Sequence, residues 1–200
     1  MKEKRTKAII TGAVLVCAIA LIVLLARGSN GGPSIVLPED FVRARQNASK
    51  VSQRIVDLTT FTAGKIAAAN TSNGSGNVSQ TEALINEARS ANDEAYRSAS
   101  DLASYLKDLA GSLSTIQSVS SQRLAFEAIA TEMSLVSEFI VYTQNLNDFL
   151  DKLSLFVEPG SKVKSSEVNA ALQKTNKSAE RINDLNEEFN TRMTRFDKSL

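Results

Sequence analysis

The stretch that decides the fold is residues 165–200, SSEVNAALQKTNKSAERINDLNEEFNTRMTRFDKSL. Apolar or small side chains recur along it at alternating steps of four and three residues, with mostly polar residues between them. Such steps keep one face of an α-helix apolar, and their regular alternation is the heptad spacing of helix bundles. We therefore predict a helix whose buried seam consists of Val168, Leu172, Thr175, Ala179, Ile182, Asn186, Phe189, Met193, Phe196 and Leu200.

Three earlier segments show the same periodicity. We predict helices over residues 38–70, 79–117 and 121–157, in addition to 165–198. Residues 70–79, NTSNGSGNVS, predict an exposed loop, and the sequence Glu158-Pro159-Gly160 predicts the end of the third helix. Helices of similar length with short connections favour antiparallel neighbours. The predicted fold is all-α: an N-terminal single transmembrane helix followed by an extended antiparallel up-down four-helix bundle over residues 38–200.

The predicted seams differ in apolar content. The third helix is the most apolar, and the width of its stripe indicates contact with more than one neighbouring helix. In the second helix, Ser79 and Glu82 have the spacing of a capping box. The predicted seam of the first helix is Phe41, Ala44, Ala48, Val51, Ile55, Leu58 and Thr62.

The boundary between the second and third helices is the weakest of these predictions. Residues 118–121, SVSS, favour a break because serine caps helices, but no Gly or Pro lies among them. The alternative is one continuous helix over residues 79–157, about 118 Å long at about 1.5 Å per residue, which would make a coiled-coil rod.

The N-terminal segment predicts membrane attachment. Residues 8–26, AIITGAVLVCAIALIVLLA, carry no charge and at about 1.5 Å per residue would span about 28 Å, close to the thickness of a bilayer's hydrocarbon core. The basic residues of segment 1–7 place that segment in the cytoplasm by the positive-inside rule. We predict a cytoplasmic n-region at 1–7, an uncleaved transmembrane signal-anchor at 8–26 and a flexible tether at 27–37. The alternative is a cleaved signal peptide, with small residues at Ala26 and Gly28.

Either reading exports the rest of the chain. The expected localisation is the cell membrane, single-pass, with the bulk of the protein extracytoplasmic, in a periplasm or outside the cell. Residues 1–27 hold five of the 23 basic residues and one of the 22 acidic residues. The remainder therefore has a net charge of −3, which does not favour a nucleic-acid partner.

The composition argues against several classes of chemistry. The chain has no histidine, and its one cysteine, Cys17, lies inside the predicted membrane segment. The commonest general base and the usual ligands of zinc are therefore missing from the exported part. Adjacent carboxylates such as Glu187 and Glu188 do not face each other on a helix. We expect no enzymatic activity, no catalytic or metal-binding residues and no cofactor.

The candidate binding residues are basic. Arg192, Arg195 and Lys198 lie in the last turns of the fourth helix, at the end of the bundle that the topology places next to the membrane. We predict that these residues contact an anionic membrane surface. The expected partners are membrane lipid around residues 8–26 and either another protein or a second copy of this chain.

Heptad seams without a catalytic set favour a non-enzymatic interaction or scaffold module. Two alternatives remain at this point. A membrane-anchored extracytoplasmic four-helix bundle is similar in architecture to the sensor domains of bacterial chemoreceptors, and this resemblance implies ligand sensing. The chain lacks their second membrane helix and their signalling region. The other alternative, a phage or envelope accessory built around a periplasmic rod, depends on a continuous helix over residues 79–157.

Overall fold

The protein is described by a computed structural model over residues 37–200. Four long α-helices follow one another: α1 (Glu39–Gly74), α2 (Val78–Ser112), α3 (Val119–Val157) and α4 (Ser165–Asp197). A short 3₁₀ turn, Leu113–Thr115, follows α2, and no strand occurs in this part of the chain. The all-helical prediction is therefore confirmed. The predicted membrane anchor at 8–26 lies outside the described residues. None of the helices within 37–200 is both long and apolar enough to cross a membrane.

Neighbouring helices run antiparallel. Between α1 and α2, Arg54 pairs with Glu94 and Lys65 pairs with Glu87, so the residue number rises along one helix while it falls along the other. The most extensive contacts between helices are those of α1 with α2 and of α3 with α4. Helix α2 also packs along α3. The fold is thus two helical hairpins joined through α2 and α3.

The break between α2 and α3 is real, but α2 ends five residues before the predicted limit of 117. The chain leaves the helix after Ser112, and Ile116, which is 1% exposed, packs into the core from the connection. Ser118 then caps α3 by accepting a hydrogen bond from the Ser121 N–H. The rod-like continuous helix is therefore absent, and the envelope-rod alternative loses the feature on which it depended.

The connection between α1 and α2 differs from the predicted loop at 70–79. Helix α1 continues to Gly74, and only residues 75–77 form the turn, with Gly76 at a φ of 78°. Ser72 is buried and donates a hydrogen bond from its hydroxyl to the carbonyl of Asn77 (3.2 Å), which stabilises the extra helical turn. Asn77, rather than Ser79, caps α2 by accepting from the Gln80 N–H.

The core is centred on α3, which contributes the largest buried side chains. Much of the buried face of α2 consists of small residues, which lets neighbouring helices approach closely. The large apolar residues of α3 that are at most 2% exposed are Leu135, Phe139, Tyr142, Leu146, Phe149 and Leu150. The buried alanines of α2 are Ala88, Ala91, Ala95 and Ala99.

The seam of α1 is more polar than predicted. Phe41, Ala48, Ile55 and Thr62 are buried as expected, but Ala44, Val51 and Leu58 are only partly buried. Their places at the centre are taken by Ser52, Thr59, Ile66 and Ala69. The hydroxyl of Thr59 donates to the carbonyl of Ile55 (2.7 Å), so a polar side chain enters the core without losing its hydrogen bond. By contrast, the predicted seam of α4 is buried from Val168 to Phe189, and Met193 is only partly buried.

Candidate functional site

Charged side chains gather where the start of α1 meets the end of α4. The rings of Phe41 and Phe196 lie 5.9 Å apart, and beside them Arg45 Nη2 donates to both carboxylate oxygens of Asp197, at 3.0 and 3.2 Å. The Arg45 guanidinium also lies 6.0 Å from the centre of the Phe196 ring. This contact joins the first and last helices of the bundle.

A third ionisable residue, Glu132 of α3, lies close enough to interact with Arg45. It is 6% exposed, and its Oε1 atom has no hydrogen-bond partner. Burial raises the pKa of Glu132 from 4.5 to about 8, although the positive charge of Arg45 acts in the opposite direction. Burial likewise raises the pKa of Asp197, and Arg45 offsets part of that rise. Glu132 therefore keeps its proton at neutral pH, inside the core and away from solvent.

The three basic residues predicted to contact a membrane do not form one free patch. Arg192 binds Glu127 of α3 (3.3 Å) and Glu188 one turn earlier on α4 (2.7 Å), so its charge is balanced within the bundle. Arg195 and Lys198 are exposed on the last turn. They lie at the same end as the start of α1, so the structure leaves two of the three cations open to solvent there.

A second surface feature was not anticipated from the sequence. Between Arg123 and Asp148, no exposed residue of α3 carries a charge. Three of these residues are large and apolar: Phe126 is 59% exposed, Met133 38% and Val141 43%. We call this surface the α3 outer face, and it comprises Phe126, Ala130, Met133, Ser134, Ser137, Val141 and Gln144.

The charges that α3 does carry along this stretch are directed into the bundle. Glu127 pairs with Arg192, and Glu138 pairs with Arg181 of α4 at 3.4 Å. Glu132 is buried. Glu127 and Glu138 are thus paired with arginines of α4. The Glu127–Arg192 pair borders the outer face beside Phe126, Ala130 and Ser134. The sequence indicates this exposed apolar surface through the wide apolar stripe of residues 121–157. We interpreted the whole width of that stripe as contact with neighbouring helices.

A polar cleft lies on the opposite hairpin, between α1 and α2. It is lined by Arg54, Glu94, Arg97, Asp101 and neighbouring serines, and it is open to solvent. Arg54 and Glu94 bind each other, and this contact raises the pKa of Arg54. Within residues 37–200 no group of acidic side chains is arranged to hold a metal ion.

Comparison with known proteins adds no relative. No family model matches the chain, and neither a curated protein nor a solved structure matches it.

Proposed function

We propose that this protein is a non-enzymatic interaction module, anchored in a membrane by residues 8–26, with its helical bundle on the extracytoplasmic side. The observation that carries the proposal is the α3 outer face. Large apolar side chains exposed along one helix face, with no charged residue among the exposed positions, are typical of a protein-binding surface.

The position of this surface supports the proposal. Over residues 126–144 the α3 outer face extends about 27 Å at about 1.5 Å per residue. It lies on the helix that contributes more buried apolar residues than any other, so its backbone is held firmly by the core. A rigid apolar face can bind a partner without first becoming ordered, which lowers the entropic cost of association.

The predicted anchor defines the orientation of the bundle. Leu37, at the start of the described chain, precedes α1 and packs against the core at the end that also holds Arg195 and Lys198. We propose that this end faces the membrane, with the two exposed cations near the lipid headgroups. The 75–77 turn and the α3–α4 connection then lie at the distal end.

Ligand sensing is the second candidate, and the cleft between α1 and α2 is the observation in its favour. Its mixed charges would suit a small zwitterionic ligand that competes with the Arg54–Glu94 pair. A thermal-shift screen of amino acids and other small zwitterions separates the two functions. A saturable rise in melting temperature that is lost in Arg97→Ala supports sensing, because a bound ligand stabilises the folded state.

Chemical cross-linking in native membranes, followed by mass spectrometry, tests the interaction function. We expect cross-linked peptides that join α3 to another polypeptide or to a second copy of this chain. Cross-links confined to single chains, at reagent concentrations that capture known complexes in the same membranes, would contradict the proposal.

A further inference from the structure

We infer that Glu132 and Asp197 compete for the guanidinium of Arg45, and that this competition makes the contact between the start of α1 and the end of α4 a pH-controlled latch. While Glu132 is protonated, Arg45 binds Asp197 and the two helix ends stay together. When Glu132 loses its proton, Arg45 turns to it and the ends separate. This inference goes beyond the proposed interaction function and does not depend on the α3 outer face. We call Arg45, Glu132 and Asp197 the α1–α4 latch.

Side chains join α1 to α4 at this end of the bundle. Within residues 37–200, the extensive helix contacts are those of α1 with α2, α2 with α3 and α3 with α4, and the α1–α4 pair is not among them. The Arg45–Asp197 ion pair and the ring contact between Phe41 and Phe196 bridge the two helices. Loss of the ion pair therefore removes the polar half of this bridge.

Glu132 is not bonded to a cation in this arrangement. It is buried, and its Oε1 atom accepts no hydrogen bond, so no nitrogen of Arg45 donates to that atom. The Nη2 atom of Arg45 donates to Asp197 instead. A carboxylate that is buried without a partner is very costly. Once Glu132 is ionised, Arg45 is the cation close enough to neutralise it, and the guanidinium must move away from Asp197 to do so.

Asp197 can give up Arg45 at a lower cost than Glu132 can remain without it. The side chain of Asp197 is 25% exposed at the rim of the bundle, whereas Glu132 lies in the interior. Water can therefore solvate the Asp197 carboxylate after Arg45 leaves it. The exchange of partners moves the unpaired negative charge from the core to the surface.

The start of α1 is the part that is free to move. The end of α4 is also tied to α3, because Ser121 Oγ donates to the carbonyl of Ser199 at 3.1 Å. By contrast, the start of α1 follows directly on the predicted tether at 27–37. Opening of the latch would therefore change how the bundle is joined to its proposed membrane anchor.

The other charged residues at this level of the bundle are exposed or already paired. The exposed ones are Lys50 of α1, Lys107 and Asp108 of α2, and Asp184 and Glu187 of α4. The paired ones are Arg43 with Glu39, Arg192 with Glu127 and Glu188, and Glu138 with Arg181. Tyr105 of α2 is partly buried at the same level. None of these residues contributes to the pKa shift of Glu132, whereas Arg45 does.

The titration of Glu132 sets the pH at which the latch opens. Burial raises the pKa of Glu132 from 4.5 to about 8, and the charge of Arg45 lowers it. The carboxyl is therefore protonated below this pH and ionised above it. We expect the latch to be closed in weakly acidic and neutral solution and open in alkaline solution.

Distances between spin labels, measured by double electron–electron resonance on the full chain in a mild detergent, test the opening. Nitroxide labels on Gln46→Cys and Thr194→Cys, in a Cys17→Ser background, report the separation of α1 and α4 at the latch, and both positions are exposed. We expect a narrow distribution of distances at pH 6 and a longer, broader one at pH 9.5, with a midpoint near pH 8. A narrow distribution at both pH values would overturn the inference.

A second pair of labels separates latch opening from general unfolding. Ala67→Cys and Gln173→Cys lie at exposed positions of the same two helices near the distal end, and their distance should not change with pH. Glu132→Gln should keep the latch distance narrow at both pH values. Glu138→Gln should behave like the original protein, because Glu138 is already paired with Arg181. A change at both label pairs, or a change that persists in Glu132→Gln, would overturn the inference.

The competition for Arg45 is tested by the titration of Glu132 itself. In protein labelled with ¹³C at the glutamate carboxyls, the Glu132 resonance is the one that Glu132→Gln removes. We expect Asp197→Asn to lower the pKa of Glu132 by about one unit or more, because Arg45 is then free to bind the ionised carboxylate. Asp184→Asn, at an exposed position of the same helix, is the control and should leave that pKa unchanged. Equal pKa values of Glu132 in these two variants would overturn the inference.

Discussion

Replacing Glu132 by glutamine should stabilise the protein at neutral and alkaline pH. In the folded chain the buried carboxyl titrates at about 8, whereas in the unfolded chain it titrates near 4.5. As the pH rises through this window, the unfolded state loses its proton and the folded state keeps it, so the free energy of unfolding falls. Glutamine has almost the same shape and cannot ionise, so the variant should not show this loss.

The size of the effect follows from the two pKa values. At about 1.36 kcal/mol per pH unit, the shift corresponds to about 3 kcal/mol at pH 7 and about 5 kcal/mol at pH 9, with almost no difference at pH 4. Asp197 is present in both proteins, so its contribution cancels in the comparison. Urea denaturation of the full chain in a mild detergent, followed by circular dichroism from pH 4 to pH 9, measures the difference.

Glu138→Gln is the control for this experiment. Glu138 lies two turns later on α3 and pairs with Arg181, whose side chain is 66% exposed. Loss of a partly exposed ion pair should cost less than about 1 kcal/mol and should give no gain at alkaline pH. A Glu132→Gln variant that is less stable than the original protein at pH 9, or that differs by the same amount at every pH, would refute the reasoning.

Three further experiments test the packing and the surface assignments. Asn92→Ala should cost about 1–3 kcal/mol of unfolding free energy, because it removes one buried and one partly buried hydrogen bond between α2 and α3. A lower midpoint of chemical denaturation would show this cost, and an unchanged midpoint would contradict it. Phe139→Ala should lower the free energy of unfolding by about 3–5 kcal/mol, because Phe139 lies in the core. Phe126→Ala should lower it by under about 1 kcal/mol and should weaken association instead, because Phe126 is exposed. Denaturation and sedimentation of the same samples separate the two effects. Replacing Arg195 and Lys198 together by glutamine in residues 28–200 should reduce co-sedimentation with vesicles that contain anionic lipid, with no change for neutral vesicles; equal binding to both lipids would remove the predicted membrane contact.

The fold was largely predictable because its main signals are local. The heptad spacing of residues 168–189 and the Pro159-Gly160 stop each act over a few residues, and both are found in the structure. The same logic located the break near 118–121, because Ser118 does cap α3. It did not locate the end of α2, because Leu113 and Ile116 continue the apolar stripe although the helix has already ended.

The predictions that were wrong share one cause, which is packing between helices. Residues 70–74 resemble a loop in composition, yet contact with α2 keeps them helical. In α1, Val51 and Leu58 are more apolar than Ser52 and Thr59, but the serine and threonine are the residues at the centre of the bundle. The Thr59 hydroxyl bonds to the Ile55 carbonyl, and the small Ser52 side chain is buried although its hydroxyl has no partner. Hydropathy alone therefore assigned the seam to the neighbouring positions.

The cluster at the ends of α1 and α4 and the α3 outer face could be recognised only from the three-dimensional structure. The sequence shows Arg45, Glu132 and Asp197 far apart, and nothing in their spacing indicates that the ends of α1 and α4 meet beside α3. Likewise, the apolar residues of α3 outnumber the positions that face its neighbours, but only the packing shows which of them remain exposed. Of the predicted basic group, Arg192 proved to be paired because Glu127 lies across the α3–α4 contact.

The most direct test of the account is site-specific photo-cross-linking in native membranes. A photoreactive benzophenone amino acid at Met133 of the full chain places the reactive group on the α3 outer face, and the same amino acid at Glu180, an exposed position of α4, is the control. We predict a discrete light-dependent protein adduct from position 133 and none from position 180. No adduct from position 133, or the same adducts from both positions, would contradict the claim that this surface is where the protein binds its partner.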